Sequence, residues 1–438
     1  MLPSIIDAAF SQLFAVVDSV MVGQMPGSTV AVAALSITQS PINLIICVTN
    51  AFFIGTTAAI AWHVGTKEKE KVYETAHQSL MLATVIGLVL FGITYIFASE
   101  IMSFVCSNRD ILPTAVEYYR INAIGFFFQI VSISITAAFR GIGKTKMPLI
   151  YNTIGNGANV VLNYILIYGK FGITPMYVKG AAVATVISKV IIFTAALSIF
   201  IFGKDGFKPR KEKFTLRLSD TMKHRMLKIG LTGAGEQLIL QSGATITAKI
   251  ISVLPTPKIA SLQVVSNIES FAWSTGDACC TASTALFGKS LGERDEKKGR
   301  AYLRLTEYWA LIFAGAEILI MCLGGKFICR LFSNDTSLYP DIIRLLLIAS
   351  LGLPCINTHK TVSGALRGAG DSFAPLIASL ISLWVFRVAL GYVLISVLGK
   401  GIYAYRWCLD ADQFVRMICM LIFYFTNHWK KIKINSRE

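Results

Sequence analysis

Residues 139–150 read FRGIGKTKMPLI, and residues 366–377 read LRGAGDSFAPLI. The arginine, two glycines and the Pro-Leu-Ile run recur at an offset of 227 residues, since 367 − 140 = 227. The same offset pairs further identical residues: Ala33 with Ala260, Thr57 with Thr284, Gly65 with Gly292, Lys71 with Lys298, Pro113 with Pro340 and Gly125 with Gly352. One register that holds without a gap from residue 33 to residue 150 indicates an internal repeat. The sequence therefore predicts two homologous halves.

The first copy also contains a relaxed phosphate-loop pattern, AFRGIGKT at residues 138–145. A phosphate loop has to follow a strand and open a helix, whereas this stretch follows a long apolar segment. Its copy in the second half reads ALRGAGDS and has no lysine, which argues against nucleotide binding. We expect Gly141 and Gly143 to form a tight turn, Arg140 to anchor at lipid headgroups, and Pro148 to begin the next helix.

The composition predicts a membrane protein. Of the 438 residues, 54% are hydrophobic and only 15% are charged, against about 25% charged residues in an ordinary soluble domain. Apolar blocks of about 20 residues match the length with which a helix crosses about 30 Å of hydrocarbon. We predict twelve spans, near residues 3–22, 29–61, 75–98, 114–139, 146–168, 179–203, 227–252, 259–288, 301–325, 340–364, 373–398 and 404–427. Because each half has an even number of spans, both halves enter the membrane from the same side and are parallel repeats. The expected fold class is therefore an all-α membrane protein of two parallel six-helix repeats.

The net charge of +16 is distributed according to topology. Lysine and arginine concentrate in alternate loops, at residues 67–71, 140–146, 204–228, 289–304 and 430–437. The positive-inside rule places these loops and both termini in the cytosol, so the charge does not require a nucleic-acid partner. The predicted domains are an N-terminal lobe at 1–203, a basic cytosolic linker at 204–228, a C-terminal lobe at 229–427 and a cytosolic tail at 428–438.

The nine cysteines show no CxxC pair and no Cys/His spacing typical of zinc. We expect no cofactor, no resident metal and no structural disulfide. A membrane-embedded enzyme would need a metal cluster or a loop motif such as DDxxD, and the sequence shows neither.

Several motifs in order resemble one transporter family. Beside the repeated RG.G....P element they are VDSVMVGQM at 17–25, NIES at 267–270, TALFGKSLG at 284–292 and LWVFRVALGYVL at 383–394. Over essentially its whole length the chain resembles the multidrug and toxin extrusion (MATE) family. The resemblance implies a V-shaped twelve-helix transporter that exports cationic or amphipathic drugs in exchange for Na⁺ or H⁺.

The expected partners are therefore small-molecule drugs or organic cations and the lipid bilayer, with the chain a monomer in the bacterial plasma membrane. Alternating access would move the two halves around a central cavity. A lipid-linked oligosaccharide flippase of the same superfamily, a channel and a membrane-embedded enzyme remain alternatives.

Asp18 leads the candidate coupling site, because an ionisable residue inside a span is a functional candidate by default. The alternative is a carboxylate that reaches the outer interface. The fifth span carries asparagines at spacings of three and four, which line one helix face: Asn152, Asn156, Asn159 and Asn163. They either bond neighbouring helices or offer carbonyl oxygens to a cation. The resemblance implies that Asn159, Asn163 and Thr185 join Asp18, although Asn163 stands where the family often has aspartate.

The second half has its own acidic candidates for binding drug or relaying protons. Glu236 and Glu269, beside Asn267, match acidic positions of one branch of the family, and Lys249 could neutralise either of them. Asp277 lies deeper in the same span as Glu269, and the family resemblance assigns it no role.

Three further charged residues predict a structural cluster. Asp412 and Arg416 are four residues apart on one helix face, which favours an ion pair, and Arg387 could join them. His359 and Lys360 stand where apolar residues are usual, facing a cavity or lying at a shallower depth.

Overall fold

The computed structural model describes residues 2–23, 28–106, 111–203, 207, 226–332, 338–427 and 429–430. The regular elements in these ranges are helices. A helix corresponds to each of the twelve predicted spans, which confirms the predicted fold class. Most of the predicted linker and of the predicted tail lies outside the described residues.

The first half contains six long helices and one short helix. They are α1 (Leu2–Gly23), α2 (Ser28–Gly65), α3 (Lys69–Ile96), the short α4 (Ala98–Val105), α5 (Leu112–Gly141), α6 (Lys146–Tyr168) and α7 (Tyr177–Phe202). Helix α6 ends at Tyr168 and is followed by Gly169, whose φ of 67° is one that glycine adopts without steric cost.

The second half repeats this order. It contains α8 (Lys228–Ile251), α9 (Thr256–Gly292), α10 (Glu296–Phe332), α11 (Tyr339–Gly368), α12 (Phe373–Ile381) and α14 (Ile402–Phe425). After α12 the eleventh span continues as a π-helix (Ser382–Ala389), the short α13 (Leu390–Tyr392) and a second π-helix (Val393–Val397).

Two compact units divide the chain. One comprises residues 2–60 and 68–226, here called the N-lobe, and the other comprises residues 61–67 and 227–438, here called the C-lobe. Seven of the described helices are long and apolar enough to cross a membrane on length and composition alone. The chain is therefore a membrane protein with many apolar helices.

The repeat predicted from the sequence extends to individual hydrogen bonds. Thr57 Oγ1 donates to the carbonyl of Ala137 at 3.1 Å, and Thr284 Oγ1 donates to that of Gly364 at 3.0 Å. Both pairs are related by the offset of 227. The matched bonds show that α2 meets α5 in the N-lobe at the position where α9 meets α11 in the C-lobe.

The RG.G turn is also the same in both lobes. Gly143 has a φ of 80° and Gly370 a φ of 95°, so each turn uses a conformation that other residues rarely adopt. The predicted tight turn is therefore confirmed at Gly143. Gly141 instead ends α5, where an added Cβ would lie 2.8 Å from the Ile60 side chain.

Small residues allow close helix contacts inside each lobe. In the N-lobe an added Cβ on Gly155 of α6 would lie 2.1 Å from Ile192 of α7. In the C-lobe an added Cβ on Gly364 of α11 would lie 2.1 Å from the carbonyl oxygen of Cys280 on α9. Glycine at such positions lets membrane helices approach closely and gain van der Waals contact.

Candidate functional site

Asp18 of α1 meets the asparagine face of α6. The amide of Asn163 donates to Asp18 Oδ1 and also to Asn159 Oδ1, the latter at 3.2 Å. Asn163 is fully buried, and its own Oδ1 has no hydrogen-bond partner. The carboxylate, the Asn159 oxygen and this unpartnered oxygen form a group of acceptors that suits a small cation.

The asparagine face reaches a second acid that the sequence analysis did not single out. Asp7 is buried on α1 and accepts two hydrogen bonds from Asn152, at 3.0 and 3.2 Å. Asp7 lies eleven residues before Asp18, which is about three helical turns, so both carboxylates share one face of α1. That spacing was a readable signal for Asp7.

Arg140 has a different role from the one predicted. Its Nη2 pairs with Asp7 Oδ2 at 3.2 Å, and its side chain is 28% exposed. The expectation that Arg140 anchors at lipid headgroups is therefore wrong, because a buried carboxylate within the same lobe binds its guanidinium. Arg140, Asp7 and Asn152 together are called the N-lobe clasp below.

Thr185 is the weakest member of the predicted coupling group. Its hydroxyl donates to the carbonyl of Ala181 at 2.9 Å, four residues back on α7. This bond is typical of a threonine inside a helix. A role beside Asp18 stays a prediction.

Glu236 of the C-lobe is held by an arginine rather than by Lys249. Arg367 Nη2 donates to Glu236 Oε2 at 2.5 Å, and Ser379 Oγ donates to Oε1 at 2.7 Å. Glu236 and Arg367 are both buried. The expectation that Lys249 neutralises one of the acids is wrong for Glu236, because the repeated arginine already does so.

The C-lobe therefore contains the counterpart of the N-lobe clasp. Arg367 corresponds to Arg140 and Ser379 to Asn152 at the offset of 227, while the acid comes from the first helix of each lobe. Glu236, Arg367 and Ser379 are called the C-lobe clasp. The N-lobe clasp connects α1, α5 and α6, and the C-lobe clasp connects the equivalent helices α8, α11 and α12.

Glu269 is also neutralised by an arginine. Arg406 donates two hydrogen bonds to its carboxylate, at 2.7 and 2.6 Å, and a third to Asp410 at 2.6 Å. Lys249 is thus not its neutralising partner either. Asn267, two residues earlier on α9, is exposed and accepts a bond from Gln263 at 3.2 Å. The structure does not join Asn267 to Glu269, since residues two apart lie on different helix faces.

The predicted cluster around Asp412 is confirmed. Asp412 is fully buried and pairs with Arg416 at 2.9 Å and with Arg387 at 2.7 Å. The neighbouring His359 is buried and shares a hydrogen bond with Gln413 at 3.0 Å. These residues connect α11, the first π-helix and α14 inside the C-lobe.

Two glutamates of α10 were missed by the sequence analysis. Glu307 accepts a hydrogen bond from Thr358, and Glu317 faces Thr275 and Asn357. One carboxylate oxygen of each is buried without a partner. They belong to the inward stripe of α10 together with the buried Leu303, Ala310, Ala314 and Met321, whose spacing of three, four and seven residues was a readable signal.

Two lobes of apolar helices, with ionisable side chains buried inside them, are typical of a membrane transporter. A family model described as MatE matches residues 3–165 and 234–393, which is most of the chain. The chain belongs to the MatE family, a family of transporters. The resemblance inferred from the sequence is confirmed.

Alignments with curated relatives cover all or nearly all of the chain. A probable multidrug resistance protein NorM from Thermotoga maritima is 27% identical over 442 aligned residues, covering 100% of this chain and 93% of the relative. An uncharacterized transporter, YisQ, from Bacillus subtilis is 25% identical and covers 95% of this chain and 91% of its own length.

A solved structure has the same fold. It is described as the outward-facing conformation of a multidrug resistance MATE family transporter of the MOP superfamily. The TM-score is 0.88 at 21% identity, with 98% of this chain and 95% of that chain covered. This agreement supports the twelve-span architecture.

Proposed function

We propose that this MatE-family multidrug efflux transporter is an antiporter whose coupling cation, Na⁺ or H⁺, binds at Asp18. One observation carries the proposal. Within the described part of the chain, an asparagine holds Asp18, whereas arginines hold Glu236, Glu269 and Asp412. Glu307 and Glu317 of α10 have no arginine partner in that part of the chain either. Asp18 is preferred to them because it also matches the acidic position that the family resemblance implies. A membrane carboxylate without a basic partner is stable when it binds a cation or a proton.

The residues around Asp18 fit either ion. Asn159 and Asn163 add two amide oxygens to the carboxylate, which is an oxygen donor set for Na⁺. A proton on Asp18 would equally neutralise the site, and the Asn163 amide would then lose its charged acceptor. Thr185 is retained as a further member on the family resemblance alone.

Coupling requires that the ion bind the two access states with different affinity. Neutralising Asp18 weakens its bond from Asn163, so helices α1 and α6 can repack. For a neutral drug, one charge that moves through 100 mV supplies about 2.3 kcal/mol, enough for a drug gradient of about fifty-fold. For a monovalent cationic drug the exchange moves no net charge, and the concentration gradient of the ion supplies the energy. The site would therefore convert an ion gradient into drug export by alternating access.

The exported substrates are proposed to be cationic or amphipathic small molecules, in line with the multidrug resistance relatives. The proposed location is the bacterial plasma membrane with both termini in the cytosol, because the basic loops alternate with loops poor in lysine and arginine. We also propose that the transporter is a monomer and that it uses no cofactor.

The test is ethidium efflux from drug-sensitive cells expressing the chain, with Na⁺ replaced by K⁺ at fixed pH. Efflux that stops without Na⁺ identifies a sodium site, and efflux that collapses only with the pH gradient identifies a proton site. Asp18→Asn should remove the ion dependence. Glu117→Gln, which neutralises an exposed acid of the N-lobe, is the matched control.

Full gradient-driven efflux by Asp18→Asn would contradict the coupling assignment. Absence of efflux by the wild-type chain under both gradients would instead favour the flippase alternative.

A further inference from the structure

Helix α9 exposes a row of polar side chains in the middle of the C-lobe. Gln263, Asn267 and Asp277 lie on one face at spacings of four and ten residues, and each is exposed. The Asp277 side chain is 62% exposed. Because a carboxylate facing hydrocarbon is costly, this face of α9 has to meet water or a polar ligand.

An ammonium group already occupies this face. Lys360 of α11 places its Nζ 2.5 Å from Asp277 Oδ1 and 4.8 Å from the centre of the Trp273 ring. The Lys360 side chain is only 14% exposed. A carboxylate beside an aromatic face is the arrangement by which proteins recognise organic ammonium ions.

The backbone of α9 makes room for this lysine. Gly276 lies between Trp273 and Asp277, and a Cβ added there would be 3.2 Å from Lys360 Cγ. The lysine stem therefore lies across the glycine. The ring of His359 also contacts Trp273, at 6.1 Å between centres, and His359 shares a hydrogen bond with Gln413. The aromatic face is thus preformed.

We propose that Asp277 and Trp273 form a substrate subsite for organic ammonium ions, and that Lys360 is a tethered stand-in for the substrate. A cationic drug enters by displacing the Lys360 ammonium from the indole face and from the carboxylate. When the drug leaves, the lysine returns and neutralises Asp277. The buried His359–Gln413 pair keeps the indole in place during the exchange.

This subsite rests on the proposed function for its cargo, but not on the coupling site at Asp18. Its residues all belong to the C-lobe, and none of them takes part in the two clasps. Substrate recognition and ion coupling can therefore be tested separately.

The experiment measures ethidium binding to the purified full-length chain in detergent by fluorescence anisotropy. Lys360→Gln removes the competitor and should tighten the Kd by about tenfold, whereas Asp277→Asn should weaken it by about tenfold. Lys360→Arg keeps the charge and should bind as the wild type does. Glu117→Gln, which removes an exposed acid of the N-lobe, is the charge-matched control and should leave the Kd unchanged.

Unchanged or weaker binding by Lys360→Gln would overturn the stand-in role, and unchanged binding by Asp277→Asn would overturn the subsite. Absence of ethidium binding by every variant would also overturn it. These results are separable from failure of the proposed function, since ion-driven efflux that depends on Asp18 can persist while binding is insensitive to Asp277. Wild-type affinity in Lys360→Arg would show that the change in Lys360→Gln comes from the lost charge and not from misfolding.

Discussion

The two lobes share one scaffold and differ in how they treat buried acids. In each lobe an arginine of the RG.G element pairs with an acid of the first helix. A polar side chain of α6 or α12 donates a further hydrogen bond to that acid. In the C-lobe, arginines also hold Glu269 and Asp412. In the N-lobe, Asp18 has an amide partner instead.

This difference separates structural charge from functional charge. A buried acid that is paired with an arginine is always neutralised. Loss of either partner leaves the charge of the other partner buried and uncompensated. An acid held by amides can gain and lose a cation without breaking an ion pair. Asp18 is therefore a better place for reversible ion binding than the arginine-paired acids, although Glu307 and Glu317 of the C-lobe also have no arginine partner among the described residues.

The largest expected effect is that of Arg406→Met in the C-lobe. This change leaves Glu269 and Asp410 buried without a cation and should cost about 3–5 kcal/mol of folding free energy. The measurement is the fall in thermal midpoint of the detergent-purified protein. Lys179→Met is the control, because its pair with Glu117 is exposed at 57% and 46%, and equal shifts would contradict the structural role of Arg406.

The clasps give the next largest effect and a direct comparison of the lobes. Glu236→Gln should cost about 3 kcal/mol, since Arg367 is left buried at 8% exposure. Asp7→Asn should cost about 1 kcal/mol, because Arg140 is 28% exposed and water can replace the lost acceptor. The thermal midpoints of the two variants show which substitution costs more folding free energy. A greater loss with Asp7→Asn would reverse our assignment of the more buried clasp.

Gly364→Ala is expected to be destabilising by about 2 kcal/mol, because the added Cβ would lie 2.1 Å from the carbonyl oxygen of Cys280 and the helices have to separate. The thermal midpoint again reports the change. Gly157→Ala is the matched control in the N-lobe, as nothing lies within 4 Å of its added Cβ. Similar midpoints for both variants would show that α9 and α11 tolerate separation.

The smallest effect is expected at the end of the C-lobe where α9 and α11 begin. Lys258 pairs with Asp341 at 2.6 Å and is 41% exposed. Lys258→Met should cost no more than about 1 kcal/mol. The difference in thermal midpoint between low and high salt checks this, because salt screens the charge of the exposed Lys258, although the Asp341 side chain is only 15% exposed. A loss that salt does not change would indicate a buried contact.

The fold could be predicted from the sequence because its signals are local. The apolar run at 146–168 coincides with α6, and the offset of 227 predicted matched turns at Gly143 and Gly370. The stripe of asparagines and the Asp412–Arg416 pair also follow from spacing within one helix.

The partners of the acids could not be predicted in the same way. Glu236 meets Arg367 across 131 residues of sequence, and Glu269 meets Arg406 across 137. Helical periodicity gives the face on which a side chain lies, but it does not give the helix that packs against that face. For this reason Lys249 was named as a partner when two arginines fill that role.

The π-helical turns of the eleventh span record a difference in length between the repeats. From Pro148 to the left-handed Gly169 the N-lobe has 21 steps, since 169 − 148 = 21, and from Pro375 to the left-handed Gly399 the C-lobe has 24, since 399 − 375 = 24. Three added residues would lengthen an α-helix by about 4.5 Å. Wider turns absorb insertions without moving the ends of the helix. A copy of the repeat that is three residues longer can thus cross a bilayer of the same thickness, because its π-helical turns take up the extra residues.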